Sequence, residues 1–272
     1  MPDVSANERF WNDHGWRRGG DRWSRDWGGP DYHWSGMLYP RLHEFLPAGT
    51  IVEIAPGYGR WTQYLVQLCD RLIGVDLAIK CVEACRERFA DQPHASFHKN
   101  DGLSLEMVPD GEVDLAFSFD SLVHCEGDVV ESYIRELSRK LSPHGVAFFH
   151  HSNLAEYRDP QTGELPFEAD GWRGLTMGAR EFPRFCREAG LVCIGQELVR
   201  WEEGEHWFRD CFSMLTRPES RFARENEVVE NPDYPTQAAA MKKVAERYGA
   251  AGFPGLDADA AAGGPAALRR SP

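Results

Sequence analysis

Between residues 41 and 216, short apolar runs alternate with amphipathic ones. Thr50–Ile54, Arg71–Asp76, Ala95–Lys99, Val113–Phe119 and Gly145–His150 have the length and composition of buried strands. Between them, apolar residues recur at helical spacing. They are Trp61, Tyr64, Leu65 and Leu68 in Arg60–Cys69; Ile79, Val82 and Phe89 in Ile79–Phe89; and Val130, Tyr133, Ile134, Leu137 and Leu141 in Val129–Leu141. Strands that alternate with helices predict βαβ units and a parallel sheet covered on both faces. A helix near Gly178–Ala189 precedes two further strands, Leu191–Arg200 and Cys211–Thr216, whose polar connection suits a hairpin better than a crossover. The expected fold class is α/β: a seven-stranded, mostly parallel sheet with helices on both faces and a C-terminal antiparallel hairpin.

The flanks differ in composition. Residues 1–40 hold five of the nine tryptophans (Trp11, Trp16, Trp23, Trp27, Trp34), interrupted by Gly19-Gly20 and Gly28-Gly29-Pro30. Glycine pairs forbid one long helix, and so many aromatic rings do not stay in water. The segment is expected to form short helices and loops folded over the 41–216 domain as a lid, strap or interface, the last of these a surface for a second copy of the chain. Residues 217–272 are polar and Pro-punctuated, with one helical pattern near Gln237–Tyr248; residues 250–267 carry eight Ala, four Gly and two Pro, a composition expected to be disordered. The net charge of −13 argues against a nucleic-acid or anionic-membrane partner. No apolar run nears the ~20 residues of a membrane span. The N-terminus lacks the order of a signal peptide, and seven cysteines without a CxxC pair read as reduced thiols, so the cytoplasm is the expected location.

The most informative segment is Ile51-Val-Glu-Ile-Ala-Pro-Gly-Tyr-Gly-Arg60. A strand ends, a turn carries Gly57 and Gly59, and a helix begins at once. Glycines there let the backbone approach a ligand and adopt positive φ. Asp76 ends the next strand, 19 residues beyond Gly57, where a carboxylate accepts both ribose hydroxyls of a nucleoside. Asn100-Asp101-Gly102 ends the third strand and Phe119-Asp120 the fourth, so all four ends open onto one crevice. A phosphate-binding loop is excluded, because no Lys-Ser/Thr pair follows the glycines.

This ordering resembles the class I, Rossmann-like, S-adenosylmethionine (SAM)-dependent methyltransferases over about residues 40–216. Their acidic residue followed by Gly-x-Gly-x-Gly matches Glu53-Ile-Ala55-Pro-Gly57-Tyr-Gly59, with Ala55 in place of the first glycine. The resemblance implies SAM as cofactor, Asp76 as its ribose ligand and Asp101 at its adenine amino group. Leu77, Gly102 and Phe119 complete that donor site, with Trp34 reaching it from the lid.

For the acceptor, the fourth strand leads into Phe119-Asp-Ser-Leu-Val-His124 and the fifth into His150-His151-Ser-Asn153. A hydroxyl acceptor needs a base, which a histidine or a metal-bound alkoxide provides, whereas an amine needs only positioning. His124, His150 and His151 with Asp120 therefore favour an O-acceptor. The two motifs also resemble, more loosely, small bacterial sugar and glycoside O-methyltransferases. That implies a sugar-like small-molecule acceptor and makes Asp120, with one strand-five histidine, a candidate Mg²⁺ site. Adjacent strand residues point to opposite faces, so His150 and His151 are not expected to reach one centre. The loop Leu154–Met177, with Tyr157, Phe167, Trp172 and Arg173, is expected to form another wall. Two alternatives stay open: an N-methyltransferase of an amine-bearing metabolite, and a SAM-binding but inactive partner subunit.

Overall fold

The computed structural model describes residues 3–168, 171–202, 204 and 206–249, so the composition-based reading of residues 250–272 lies outside the described residues. Among the described residues, eight strands form one sheet in the order β3-β2-β1-β4-β5-β7-β6-β8. They are β1 (Ala48–Ile54), β2 (Cys69–Asp76), β3 (Ala95–Lys99), β4 (Val113–Ser118), β5 (Leu141–Ser152), β6 (Val192–Val199), β7 (Asp210–Thr216) and β8 (Val228–Asn231). Strands β1 to β5 pair in parallel, and β7 runs antiparallel between β5 and β6. The α/β sheet and its terminal hairpin thus follow the hydrophobic pattern. The eighth strand was not expected: Val228–Asn231 is mostly exposed and pairs with the outer edge of β6, so it carries no buried stripe to announce it.

The α-helical segments among the described residues are α1 (Val4–Asp13), α2 (Pro30–His33), α3 (Tyr39–Leu42), α4 (Thr62–Leu65), α5 (Ile79–Arg88), α6 (Gly127–Lys140), α7 (Glu181–Glu188) and α8 (Tyr234–Tyr248). Helix α4 is much shorter than the pattern over Arg60–Cys69 predicts. A 3₁₀ turn at Val66–Leu68 ends it, and Cys69 already pairs with Ala48.

Period-two alternation gives the sheet a core on each face. Val52, Ile54, Val75 and Phe149 pack under α6 and α7, while Ile51, Leu72, Phe117 and Phe148 pack under the N-terminal segment. Helix α1 is capped by the Asp3 carboxylate, which accepts the Ala6 N–H. A 3₁₀ segment, Arg17–Trp27, follows, folded back at Arg18, Gly19 and Gly20, all at positive φ. Trp27 and Trp34 enter the core; Trp11, Trp16 and Trp23 remain half-buried over the C-terminal ends of the strands. Helix α8 locks this segment down. Tyr234 is fully buried beside Trp27 and Phe212, and a Cβ on Gly28 would stand 2.3 Å from the Ala245 side chain. No helix among the described residues is long and apolar enough to cross a membrane.

Candidate active site

The turn after β1 holds an unusual backbone. Ala55 has φ +57, Gly57 φ +59 and Gly59 φ +82, and across from them Asp120, at the end of β4, has φ +60. Left-handed non-glycine residues cost of order 1–3 kcal/mol and persist only where surrounding bonds hold them. Those bonds are present. The Ala55 N–H donates to Val75 O at 2.7 Å, Ser121 Oγ donates to Ala55 O at 3.0 Å, and the Asp120 N–H donates to His150 Nδ1 at 3.1 Å.

Asp76 stands beside the turn, its Oδ2 accepting the Gly57 N–H at 3.0 Å and its Oδ1 the Ala78 N–H at 2.8 Å. Burial pushes its carboxyl up to about 7, against the pull of those two N–H groups. Glycine is required at 57: an added Cβ would meet the Trp16 ring at 2.8 Å, and that ring also stacks on Tyr58, 4.8 Å between centroids.

A cavity of about 900 Å³, counting its open mouth, runs along these groups. Its floor includes Ala55, Gly57, Asp76, Leu77, Gly102, Phe119 and Asp120, seven of the expected site residues. Cys125, Val129 and Tyr133 form an apolar end, and Trp11, Trp16 and Trp23 form the roof. Helix α1 holds that roof in place. Asn7 Nδ2 donates to His124 O at 2.9 Å, Trp11 Nε1 donates to Asn7 Oδ1 at 3.1 Å, and Lys80 Nζ donates to His14 O at 2.8 Å.

The other expected residues lie elsewhere. Glu53 is sealed behind the turn, accepting the Thr62 hydroxyl, and burial pushes its carboxyl up to about 8. Gly59 yields its space to Phe89, whose ring would sit 2.4 Å from an added Cβ. Asp101 is exposed and turned on its own loop, its Oδ1 accepting the N–H groups of Leu103 and Ser104. Trp34 does not reach the cavity; it stacks on Tyr64 at 5.2 Å in the core.

The histidines separate as strand alternation requires. His150 shares a face with Phe148 and Phe212, its Nδ1 occupied by the Asp120 N–H and its Nε2 3.9 Å from Asp210. His151 points to the opposite face, stacked on Phe182. Its Nδ1–H donates to Ser152 O, its Nε2 accepts from Ser213 Oγ, and burial depresses its pKa to about 4. The acceptor nitrogen of each ring is already taken, Nδ1 of His150 by the Asp120 N–H and Nε2 of His151 by the Ser213 hydroxyl, so neither has a free lone pair for the proton of an acceptor. His124 is different. Its Nδ1–H donates to the Trp172 carbonyl at 2.9 Å, which leaves Nε2 as a lone-pair acceptor, and burial lowers its pKa so that the ring is neutral at pH 7. It stands against Trp11, 5.4 Å between ring centroids, just outside the cavity wall.

A Mg²⁺ site at Asp120 does not fit. Its Oδ2 is held by Arg60 Nη2 at 2.7 Å, and no cluster of three or more His, Cys, Asp or Glu suited to a metal occurs among the described residues. The 154–177 loop also departs from expectation, since none of its described residues lines the cavity. Tyr157 and Phe167 pack with Trp207, and Arg173 forms a bidentate pair with buried Asp210. Burial opposes ionisation of Asp210, yet Arg173 holds its carboxyl well below the usual range. Cys125 lines the cavity but is no nucleophile, its thiol pushed up to about 12 by burial. The residues that sequence reasoning missed are Arg60 and Tyr133. The first directly follows the glycine turn; the second belongs to the apolar stripe of α6 and so reads as core.

Residues 51–145 match a family model described as a methyltransferase domain. A curated relative, the ribosomal RNA small subunit methyltransferase A of Geobacter metallireducens, is 33% identical over 61 residues. That match spans only 22% of this chain and 22% of the relative. Among solved structures, the geranyl diphosphate C-methyltransferase of Streptomyces coelicolor A3(2) is similar, with a TM-score of 0.56, 14% identity and coverage of 80% of this chain and 98% of that one. A SAM-dependent methyltransferase from Clostridium acetobutylicum has a TM-score of 0.53 and 15% identity, covering 68% of this chain and 90% of that one. The glycine turn, Asp76 and the cavity between them fit the nucleoside of that cofactor. Residues 51–145 therefore match a methyltransferase domain, set in an α/β, Rossmann-like fold that the chain shares with solved SAM-dependent methyltransferases.

Proposed function

We propose that the protein transfers the methyl group of SAM to a hydroxyl of a small polar acceptor of the sugar or glycoside class. Ala55, Gly57, Asp76, Leu77 and Gly102 would hold the cofactor, which supplies a methyl group on a positively charged sulfur. The observation that carries this reading is the roof of Trp11, Trp16 and Trp23 with neutral His124 beside it. Indole faces suit both sugar C–H surfaces and a sulfonium, and they exclude water from the transfer. His124, oriented by the Trp172 carbonyl, would receive the hydroxyl proton at Nε2 as the new O–C bond forms.

One observation favours an amine acceptor instead: no imidazole is among the cavity-lining residues, and a neutral amine needs no base. The deciding experiment measures S-adenosylhomocysteine release over a panel of sugars, glycosides, amines and geranyl diphosphate, with and without EDTA. The reading expects sugar or glycoside turnover that EDTA leaves unchanged and that His124→Gln lowers at least about 100-fold. Activity confined to amines and indifferent to His124→Gln would replace it with the second reading. Turnover confined to geranyl diphosphate would refute both.

A further inference from the structure

Outside the cavity, a charged pair is buried against the residues that the reaction would use. Arg173 meets Asp210, the first residue of β7, with Nε 2.7 Å from Oδ1 and Nη2 2.8 Å from Oδ2. The Asp210 side chain is 0% exposed and that of Arg173 12%. So buried a pair is a poor source of stability, because desolvation offsets its attraction and apolar side chains of similar volume would serve as well. What a two-pronged guanidinium–carboxylate contact supplies instead is direction.

Direction matters because of what adjoins each partner. The Trp172 carbonyl, in the peptide that leads into Arg173, accepts the Nδ1–H of His124 at 2.9 Å. The Trp172 ring rests on Phe10 of α1, 4.8 Å between centroids. Just beyond Arg173, the Gly174 N–H donates to Val123 O at 2.9 Å and Ser152 Oγ donates to Gly174 O at 2.7 Å. The approach there is so close that a Cβ on Gly174 would stand 1.9 Å from Cys125 O. On the other side of the pair, Asp210 Oδ1 lies 3.9 Å from Nε2 of His150, whose Nδ1 accepts the Asp120 N–H at 3.1 Å. Asp210 thus stands where one line from His124 and another from Asp120 meet.

We infer that Arg173 and Asp210 are positioning residues that fix the tautomer of His124 by aiming the Trp172 carbonyl at its Nδ1. The inference rests on the reading of His124 as base and deepens it. A carbonyl only accepts, so the single proton of the neutral ring sits on Nδ1 and Nε2 keeps its lone pair for the acceptor hydroxyl. If the carbonyl swings away, the proton is shared between the two nitrogens, and a ring that carries it on Nε2 takes no proton there. Neither Arg173 nor Asp210 lines the cavity, so both act through the Trp172 peptide.

The test reads the tautomer directly, from long-range ¹H–¹⁵N correlation spectra of the full-length protein with ¹⁵N-labelled histidine at neutral pH. The His124 signals are identified by their loss in His124→Gln. Wild type should show the Nδ1–H form alone. Arg173→Met by itself strands a buried carboxylate and endangers folding, so it is paired with Asp210→Asn, which removes both charges. The paired variant should show both tautomers. Its kcat on a sugar or glycoside acceptor should fall about fivefold, while KM and Kd for S-adenosylhomocysteine stay within about twofold. Arg173→Lys, which keeps the charge without the two-pronged contact, should shift tautomer and kcat less and in the same direction, and it carries the test if the paired variant does not fold. A folded variant of either kind whose His124 keeps the Nδ1–H form alone would overturn the assignment, whatever its activity. A shifted tautomer with unchanged kcat would instead support the positioning and remove His124 as the base, and the proposed function with it.

Discussion

The cavity has two walls built on different principles. The floor comes from strand ends: Ala55, Gly57, Asp76 and Asp120 are held by backbone geometry and by bonds from neighbouring strands. The roof comes from the N-terminal segment, a run of short helical turns in which three tryptophans lean on one another at 5.3–5.7 Å. A floor of that kind binds one ligand by fixed hydrogen bonds. An aromatic roof adapts to shape and gains affinity from contact area. The cofactor should therefore depend on the floor and the acceptor on the roof, and the sharpest way to break this division is at Asp76. Asp76→Ala removes the acceptor for the Gly57 N–H and for two ribose hydroxyls. Hydrogen bonds to charged groups are worth about 1.5–3 kcal/mol each, so Kd for S-adenosylhomocysteine should rise at least about 100-fold. A change of less than tenfold would show that the floor does not carry cofactor affinity.

The turn behind the floor also carries a stability cost that the roof does not. Glu53, 1% exposed, has its carboxyl pushed up to about 8 by burial, well above its unfolded value near 4.5. The folded state therefore binds this proton more tightly than the unfolded one. The stability it confers is full below about pH 4.5 and is lost as pH rises through 8. Glu53→Gln, which mimics the protonated form, should lie within about 1 kcal/mol of wild type at pH 5 and exceed it at pH 9 by on the order of 4 kcal/mol in denaturant unfolding. Identical pH profiles for the two proteins would show that Glu53 is ionised in the fold. Asp76 supplies a smaller effect in the same region. Ribose hydroxyls donate to its ionised form, whereas burial keeps the carboxyl protonated below about 7. Binding of S-adenosylhomocysteine should tighten about tenfold from pH 6 to pH 8 and then level off. Affinity that is flat over this interval would detach ribose recognition from Asp76.

The same division explains what the sequence made legible. The parallel strands, the glycine turn and Asp76 follow from apolar runs and turn chemistry, because in a parallel sheet the strand ends are also the site. Alternation alone separates His150 from His151, and the structure sends them to opposite faces. Neighbourhood in sequence misled elsewhere. Asp101 sits at a strand end but spends its carboxylate on its own loop, and Trp34 belongs to the aromatic segment yet packs on Tyr64. Arg60 and Asp120 are 60 residues apart, and no local pattern announces that they meet. Strand β8 escaped for the reverse reason, since an exposed edge strand has no buried face to give it a period.

Within the roof, Trp11 allows the finest cut between acceptor and cofactor. Its ring touches Trp16, Trp23 and His124 at once, while its Nε1–H is held by Asn7, so the indole is fixed by α1 rather than by the glycine turn. Trp16, by contrast, lies on Gly57 and Tyr58, and its loss would disturb both walls together. Trp11→Ala should raise KM for the acceptor about fivefold, equivalent to ~1 kcal/mol of aromatic contact, and leave Kd for S-adenosylhomocysteine within twofold. Because His124 packs on the same ring, kcat should fall as well if the proton passes to its Nε2. A rise in KM without a fall in kcat would leave Trp11 as acceptor wall and remove His124 from the reaction. A loss of cofactor affinity equal to that of the acceptor would mean that floor and roof act as one surface, and the division between them would fail.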